Sequence, residues 1–133
     1  MKHNIFILLT ILWLSLSCSS DDSLTASLLE DKIEKLQNEI VAVIEKSTGE
    51  TSADCRTTLI PGGNGCGPIY VYGVLGIDTL ELESLFDELS SAQTDLYNLQ
   101  GGPVCDIAFP AKDSLINGSC KACFQFDEMF ECF

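Results

Sequence analysis

IYVYGVLGIDTLELESLFDELSSAQTDLYNLQGGP, residues 69–103, is the stretch that decides the fold. Its first seven residues, 69–75, are rich in β-branched and aromatic side chains and predict a strand. Asp78 then has the position of a helix N-cap, with Glu81 three residues later. Gly101-Gly102-Pro103 ends the helix, because glycine permits a left-handed turn and proline cannot continue the hydrogen bonding. The stretch therefore predicts a strand followed by one long helix.

The elements around this helix are shorter. The helix has one apolar stripe, formed by Leu82, Phe86, Leu89, Ala92, Leu96 and Leu99. Residues 55–60 predict a strand that ends in the turn cluster 61–65, and a hairpin is expected between 104–109 and 115–120. The four phenylalanines in 124–133 should pack on the sheet. The fold class is α+β, a small antiparallel sheet packed on one long helix.

A second helix should precede this domain. Apolar residues recur at spacings of three and four, at Leu29, Ile33, Leu36, Ile40 and Val43. The pattern predicts a helix from about Leu24 to Lys46, with 28–47 as its amphipathic part. It is expected to pack on its own domain or to act as a stalk, and pairing with another chain is the alternative. A polar linker, 48–53, then leads to the domain at 54–133.

The first residues have the pattern of a secretory leader. Lys2 is followed by the apolar run Ile5–Leu16, which is shorter than the roughly 20 residues of a permanent membrane span. Small residues before Cys18 are similar to the site of lipoprotein signal peptidase, although Ser15-x-Ser17 also suits the ordinary signal peptidase. The prediction is a signal peptide at 1–17, a lipid on Cys18 and a flexible tether at 18–27. The membrane is thus a partner through the lipid anchor.

The number of cysteines, seven, agrees with a lipid on Cys18, because an odd number cannot all pair in disulfides within the chain. If Cys18 carries the lipid, six remain for structural disulfides, which small exported domains often need. These six are Cys55, Cys66, Cys105, Cys120, Cys123 and Cys132. The alternative is a redox motif at Cys120-x-x-Cys123. No βαβ unit is predicted around it, and its acidic surroundings would raise a thiol pKa.

The charge balance excludes a class of partner. The chain has 20 acidic and 7 basic residues, for a net charge of −13, which repels nucleic acid. The only histidine is His3, in the predicted leader, so no imidazole is left for catalysis or for a metal. Glu83 and Asp87 lie one helical turn apart and are interpreted as a solvated face. We expect no enzyme activity, no metal and no cofactor.

A pattern of residues from Cys55 to Cys120 resembles a group of small bacterial lipoproteins. The pattern falls on Cys55, Gly62, Cys66-Gly67-Pro68, Tyr70-Val71-Tyr72, Asp78, Asn98, Cys105-Asp106, Pro110 and Gly118-Ser119-Cys120. Gly73 departs from it, since a serine is common there. The sequence Cys-Ser-Ser-Asp-Asp at 18–22 is likewise similar to lipoprotein tethers of the Bacteroidetes. The resemblance implies an outer-membrane lipoprotein, either on the cell surface or on the periplasmic face.

The resemblance also implies a disulfide pairing. If the group's own four cysteines pair among themselves, Cys123 and Cys132 form the remaining bond. The favoured pairs are then Cys55–Cys66 and Cys105–Cys120, the second of which would close the expected hairpin.

The expected function is an exported lipoprotein with a non-catalytic, disulfide-stabilised domain that binds a protein partner or supports an envelope structure. One alternative is a peptidase inhibitor that presents the loop 61–68. The other is a thiol oxidoreductase that uses Cys120 and Cys123.

Overall fold

The computed structural model describes residues 20–63, 65–105, 110–126 and 129–133. The helices are α1 (Ser20–Ile44) and α2 (Thr79–Gln100), and a short 3-10 turn covers Ser52–Asp54. The strands are β1 (Cys55–Leu59), β2 (Ile69–Gly73), β3 (Lys112–Ile116), β4 (Ser119–Phe126) and β5 (Met129–Cys132). The expected α+β fold, with antiparallel sheets, two helices and disulfides, is confirmed.

The strands form two small sheets, β1-β2 and β3-β4-β5. The hairpin β1–β2 lies between the helices and the three-stranded sheet. In this hairpin Thr58 pairs with Tyr70, and the side chains of Thr58 and Tyr72 are on the helix side, 3.2 Å apart. Successive residues of a strand point to opposite faces. Cys55 and Thr57 therefore face the second sheet, β3-β4-β5, where Cys55 bonds to β4 and Thr57 hydrogen-bonds to Asp113 of β3.

The core lies between the helices and the hairpin. Its buried members are Leu36, Ile40, Ile60, Tyr72, Leu82, Phe86, Leu89 and Ala92. The ring of Phe86 packs against both hairpin tyrosines, with centroids 5.4 Å from Tyr70 and 5.9 Å from Tyr72. The helices are antiparallel, because Gln100 at the end of α2 donates to Glu30 in the first half of α1, 3.2 Å away, whereas Ile40 in the second half joins the core with Leu82 of the first turns of α2.

The ends of α2 agree with the sequence signals. The Asp78 carboxylate accepts from the amides of Leu80 (2.9 Å) and Glu81 (3.2 Å), which satisfies donors that the first turn leaves free. Gly101 follows with a φ of 68°. The buried stripe ends earlier than expected, since Leu99 is 45% exposed.

The N-terminal segment differs from the expected tether. The flexible segment at 18–27 is wrong for its described residues, because α1 already begins at Ser20. Leu36 and Ile40 then join the core, so the helix packs on its own domain. The expected signal peptide, 1–17, and Cys18 lie outside the described residues.

The second hairpin also differs from the expectation. We expected 104–109 to pair with 115–120, but β3 pairs with β4 around Asn117-Gly118. Both turn residues have positive φ, 52° and 79°, as a two-residue hairpin turn requires. This turn places Ile116 opposite Ser119, so the strands lie closer together in sequence than expected. Residues 106–109 are outside the described ranges.

The tail extends this sheet. Residues 124–126 are the end of β4, and β5 pairs with them, with Phe124 opposite Glu131. The rings of Phe124 and Phe133 lie 6.3 Å apart between centroids. The tail that should pack on the sheet is thus part of it.

The presence of glycine at position 73, where the related pattern commonly has serine, has a steric reason. A Cβ at this position would lie 2.0 Å from the carbonyl oxygen of Thr48, in the segment that joins α1 to β1. The same segment pairs with the chain beyond β2, since Thr48 and Leu75 form an isolated bridge. A serine at position 73 would force the two segments apart.

A substitution at Leu89 tests which residues form the core. Its side chain is fully buried, so Leu89→Ala should lower the free energy of unfolding by about 3 kcal/mol, from lost burial and the remaining cavity. The measurement is urea denaturation followed by circular dichroism. Leu80→Ala is the matched control, because Leu80 is on the same helix but 75% exposed, and its effect should stay within about 0.5 kcal/mol. Equal effects would contradict the assigned core.

Asp54 should make stability depend on acid pH. Its carboxylate accepts from the Thr51 amide (2.8 Å), the Thr51 hydroxyl (3.0 Å) and the Glu50 amide (3.0 Å). These bonds, the Thr51 amide first, hold the pKa of Asp54 below its usual 3.8. The stabilisation is therefore complete above the unfolded pKa and is lost as pH falls through the lower folded pKa.

The test compares wild type with Asp54→Asn by urea denaturation at neutral pH and at several values below 3.8. The stability difference between the two proteins should be largest at neutral pH and shrink with acidification. A difference that is constant over the whole range would contradict the assigned hydrogen bonds.

Candidate functional site

The six cysteines of the domain form three disulfides. The pairs are Cys55–Cys120, Cys66–Cys105 and Cys123–Cys132. The pair Cys123–Cys132 agrees with the expectation. The favoured pairs Cys55–Cys66 and Cys105–Cys120 are wrong.

The hairpins explain both corrections. Cys55 is opposite Gly73 at the open end of β1–β2, whereas Cys66 is in the loop at the other end. A five-residue strand spans roughly 16 Å, far more than the separation of about 7 Å that a disulfide can bridge. In the second hairpin Leu115, not Cys105, is opposite Cys120.

The Cys120-x-x-Cys123 motif does not form a dithiol pair. Both residues are in β4, and each is bonded to a cysteine elsewhere, Cys55 and Cys132 respectively. Redox motifs of this spacing lie at a helix N-terminus, where the dipole lowers the thiol pKa. The geometry therefore gives no support to a thiol oxidoreductase.

The loop 61–68 is held against the domain. Ser90 of α2 donates to the carbonyl of Pro61 over 2.9 Å, and Gly62 is buried. A Cβ at Gly63 would lie 2.8 Å from the Tyr97 ring, and Cys66 is bonded to Cys105. An inhibitory loop must project from its domain to enter an active site. The described part of this loop is attached at Pro61 and Cys66, and Gly63 lies against Tyr97, so the geometry does not favour a peptidase inhibitor.

Glu83 and Asp87 lie beside a groove between α2 and β1. Both side chains are exposed, and the groove has a volume of about 500 Å³. Its lining includes Thr58, Ile60, Pro61, Tyr72, Phe86 and Ser90. The two carboxylates thus share a groove with both apolar and polar side chains. The sequence indicated only a solvated face, because nothing local shows that β1 lies alongside α2.

A second groove lies on the opposite face of β1. It has a volume of about 610 Å³ and extends between the hairpin and the start of β3. Its lining includes Thr57, Leu59, Pro61, Ile69, Pro110, Lys112 and Asp113. The Thr57 hydroxyl donates to the Asp113 carboxylate and joins the two sheets beside it. This groove has one cation, one anion and mostly apolar walls.

A smaller groove of about 240 Å³ lies between the helices and the loop 61–66. Ile33, Leu96 and Tyr97 line it, together with Gln93. The side-chain oxygen of Gln93 is buried there without a hydrogen-bond partner. No local sequence signal indicates any of these three grooves.

Two further structural features concern the described residues. No group of three or more potential metal-ligating side chains occurs among them. Within the same ranges, no helix has the length and apolar character of a membrane span.

The disulfides should differ in their effect on stability. Cys55–Cys120 closes 65 residues and Cys123–Cys132 closes 9. In the chain-entropy model, replacing both cysteines of the first pair with alanine costs about 4 kcal/mol, against about 2.5 kcal/mol for the second. Urea denaturation of the two double variants measures the difference. A larger loss for the Cys123/Cys132 variant would contradict the prediction.

Comparison of the chain with protein-family models, with curated proteins and with solved structures gave no match. The proposals below therefore depend on the sequence and on the geometry just described.

Proposed function

We propose that the protein is an exported lipoprotein, anchored through Cys18, whose stapled domain binds a protein partner at the cell envelope without catalysing a reaction. The observation that carries this proposal is the pairing of the cysteines. The six cysteines of the described residues pair with one another, so none of the six is left to pair with Cys18, the seventh. Structural disulfides are typical of oxidising compartments, and a single cysteine after a leader suits a lipid.

The first helix supports an anchored domain. Only Ser19 separates Cys18 from the start of α1 at Ser20. The helix has 25 residues, a length of about 37 Å at 1.5 Å per residue. Its second half packs in the core through Leu36 and Ile40. A lipid on Cys18 would therefore be joined to the domain through a helix and not through a flexible tether.

Binding is favoured over catalysis by the residues available. The only histidine, His3, would leave with the signal peptide. Glu83 and Asp87 are exposed on α2 and line the groove beside β1, where they can contact a partner. The grooves on both faces of β1 offer a surface to a partner.

The outer membrane, on its surface or periplasmic face, is the proposed location.

The test is mass spectrometry of the full chain, expressed with its leader in a bacterium that has an outer membrane. We expect a diacyl or triacyl adduct on Cys18 in the membrane fraction, and the three disulfides described above in non-reduced peptide maps. Cys18→Ser should lack the adduct and leave the membrane fraction. Ser19→Ala is the matched control and should keep both. An unmodified Cys18 in the wild-type protein would overturn the proposal.

A further inference from the structure

We propose that the outer edge of β1 binds an extended, basic segment of a partner protein, which adds as a third strand to the hairpin β1–β2. This inference rests on the proposed binding function and names the partner's chemistry. Strand addition uses main-chain hydrogen bonds for affinity and side-chain pockets for specificity.

The edge has unpaired backbone groups. The amides of Ile60 and Val74 bond to Pro68 and Asp54, at 3.0 and 2.9 Å, on the β2 side. Along an antiparallel strand, the backbone N–H and C=O groups of successive residues point alternately toward and away from the paired strand. Those of Thr57 and Leu59 therefore point away from β2. The sheet order ends at β1, and within the described ranges no backbone bond joins Thr57 or Leu59 to another strand.

The free edge has a defined start. The Arg56 guanidinium donates to the carbonyls of Ala53 (2.7 Å) and Cys55 (2.8 Å). It therefore occupies the outward carbonyl of Cys55. With respect to the described ranges, the backbone groups of Thr57 and Leu59 are left free, enough for the four hydrogen bonds of a short added strand.

The grooves on the two faces of this edge select different side chains. On the α2 side, Glu83 and Asp87 line one groove together with Tyr72 and Phe86, a combination that suits lysine or arginine. On the β3 side, walls such as Leu59 and Pro110 suit apolar residues. Because side chains alternate along a strand, the preferred segment has basic residues at every second position and apolar residues between them.

Charge favours such a segment over a second copy of this chain. The net charge is −13, so two copies repel each other at low salt. Antiparallel pairing of two β1 edges would also bring the Glu83 and Asp87 carboxylates of both copies to one seam. A basic segment neutralises these carboxylates instead.

The probe is an array of eight-residue peptides in which lysine or arginine alternates with threonine, valine, leucine, proline or tyrosine. Binding to the full-length lipidated protein in nanodiscs is measured by fluorescence anisotropy. Two control peptides match each hit, one with glutamate for every basic residue and one with N-methyl groups on alternate amides. We expect neither control to bind, because the first reverses the charge and the second blocks the main-chain bonds.

Two pairs of protein variants locate the site. Glu83→Gln with Asp87→Asn should weaken binding about tenfold. The matched control, Glu88→Gln with Asp95→Asn, changes the same charge at exposed positions of α2 outside the groove and should stay within about twofold.

The second pair tests the main-chain contact. Thr57→Pro removes the outward amide and should weaken binding at least about tenfold, since an edge strand tolerates proline but loses a donor. Thr57→Val loses the hydroxyl bond to Asp113 but keeps the amide, and should bind within about threefold of wild type. A disulfide map that equals that of the wild type shows that each variant is folded.

Several outcomes overturn the proposal. These are an array without any hit, equal binding of the N-methylated peptides, and equal effects of the two charge variants. A dimer of the free protein that Thr57→Pro abolishes would assign the edge to a second copy instead. The lipid adduct on Cys18 is read by mass, independently of peptide binding, so failure of one proposal is distinguishable from failure of the other.

Discussion

The structure depends on the covalent bond between Cys55 and Cys120, because the two sheets share little apolar surface. The members of the core cluster come from the helices and from residues 60–72, and none comes from β3, β4 or β5 in the described ranges. The buried residues of the second sheet, Ala122 and Cys123, are small. A domain of this size has a marginal core, and disulfides compensate by restricting the unfolded chain. Two hydrogen bonds also join β3 to the first half of the domain, from the Thr57 hydroxyl to Asp113 and from the Leu115 amide to the Ser52 hydroxyl.

The first half of the fold could be predicted from sequence because its signals are local. The capping carboxylate of Asp78, the apolar stripe of α2 and the aromatic strand at 69–73 each act over a few residues. The disulfides could not be predicted in full, because pairing depends on which strand lies over which. The favoured bond Cys105–Cys120 depends on a hairpin between 104–109 and 115–120, and the structure places the hairpin elsewhere.

The candidate site could not be predicted for the same physical reason. Glu83 and Asp87 have an ordinary helical spacing that fits any solvated face. They become part of a groove only because Tyr72 packs on Phe86 and places β1 beside α2. Likewise, the outward amides of β1 are a property of the sheet order, since the same strand in the middle of a sheet would have none free.

The first helix lies outside every disulfide loop, since the bonded cysteines span residues 55–132. If Cys18 carried an anchor and β1 a partner, load between them would act on the non-covalent contacts of α1 with the core, and once these opened only the backbone 45–54 would join α1 to β1. The disulfide-bonded part, residues 55–132, would resist the same load through covalent bonds. Under tension α1 would peel away first, and the domain would gain reach while its partner-binding half stayed folded. If Cys18 carries a lipid, the position of the disulfides makes the helix an extensible link between membrane and domain.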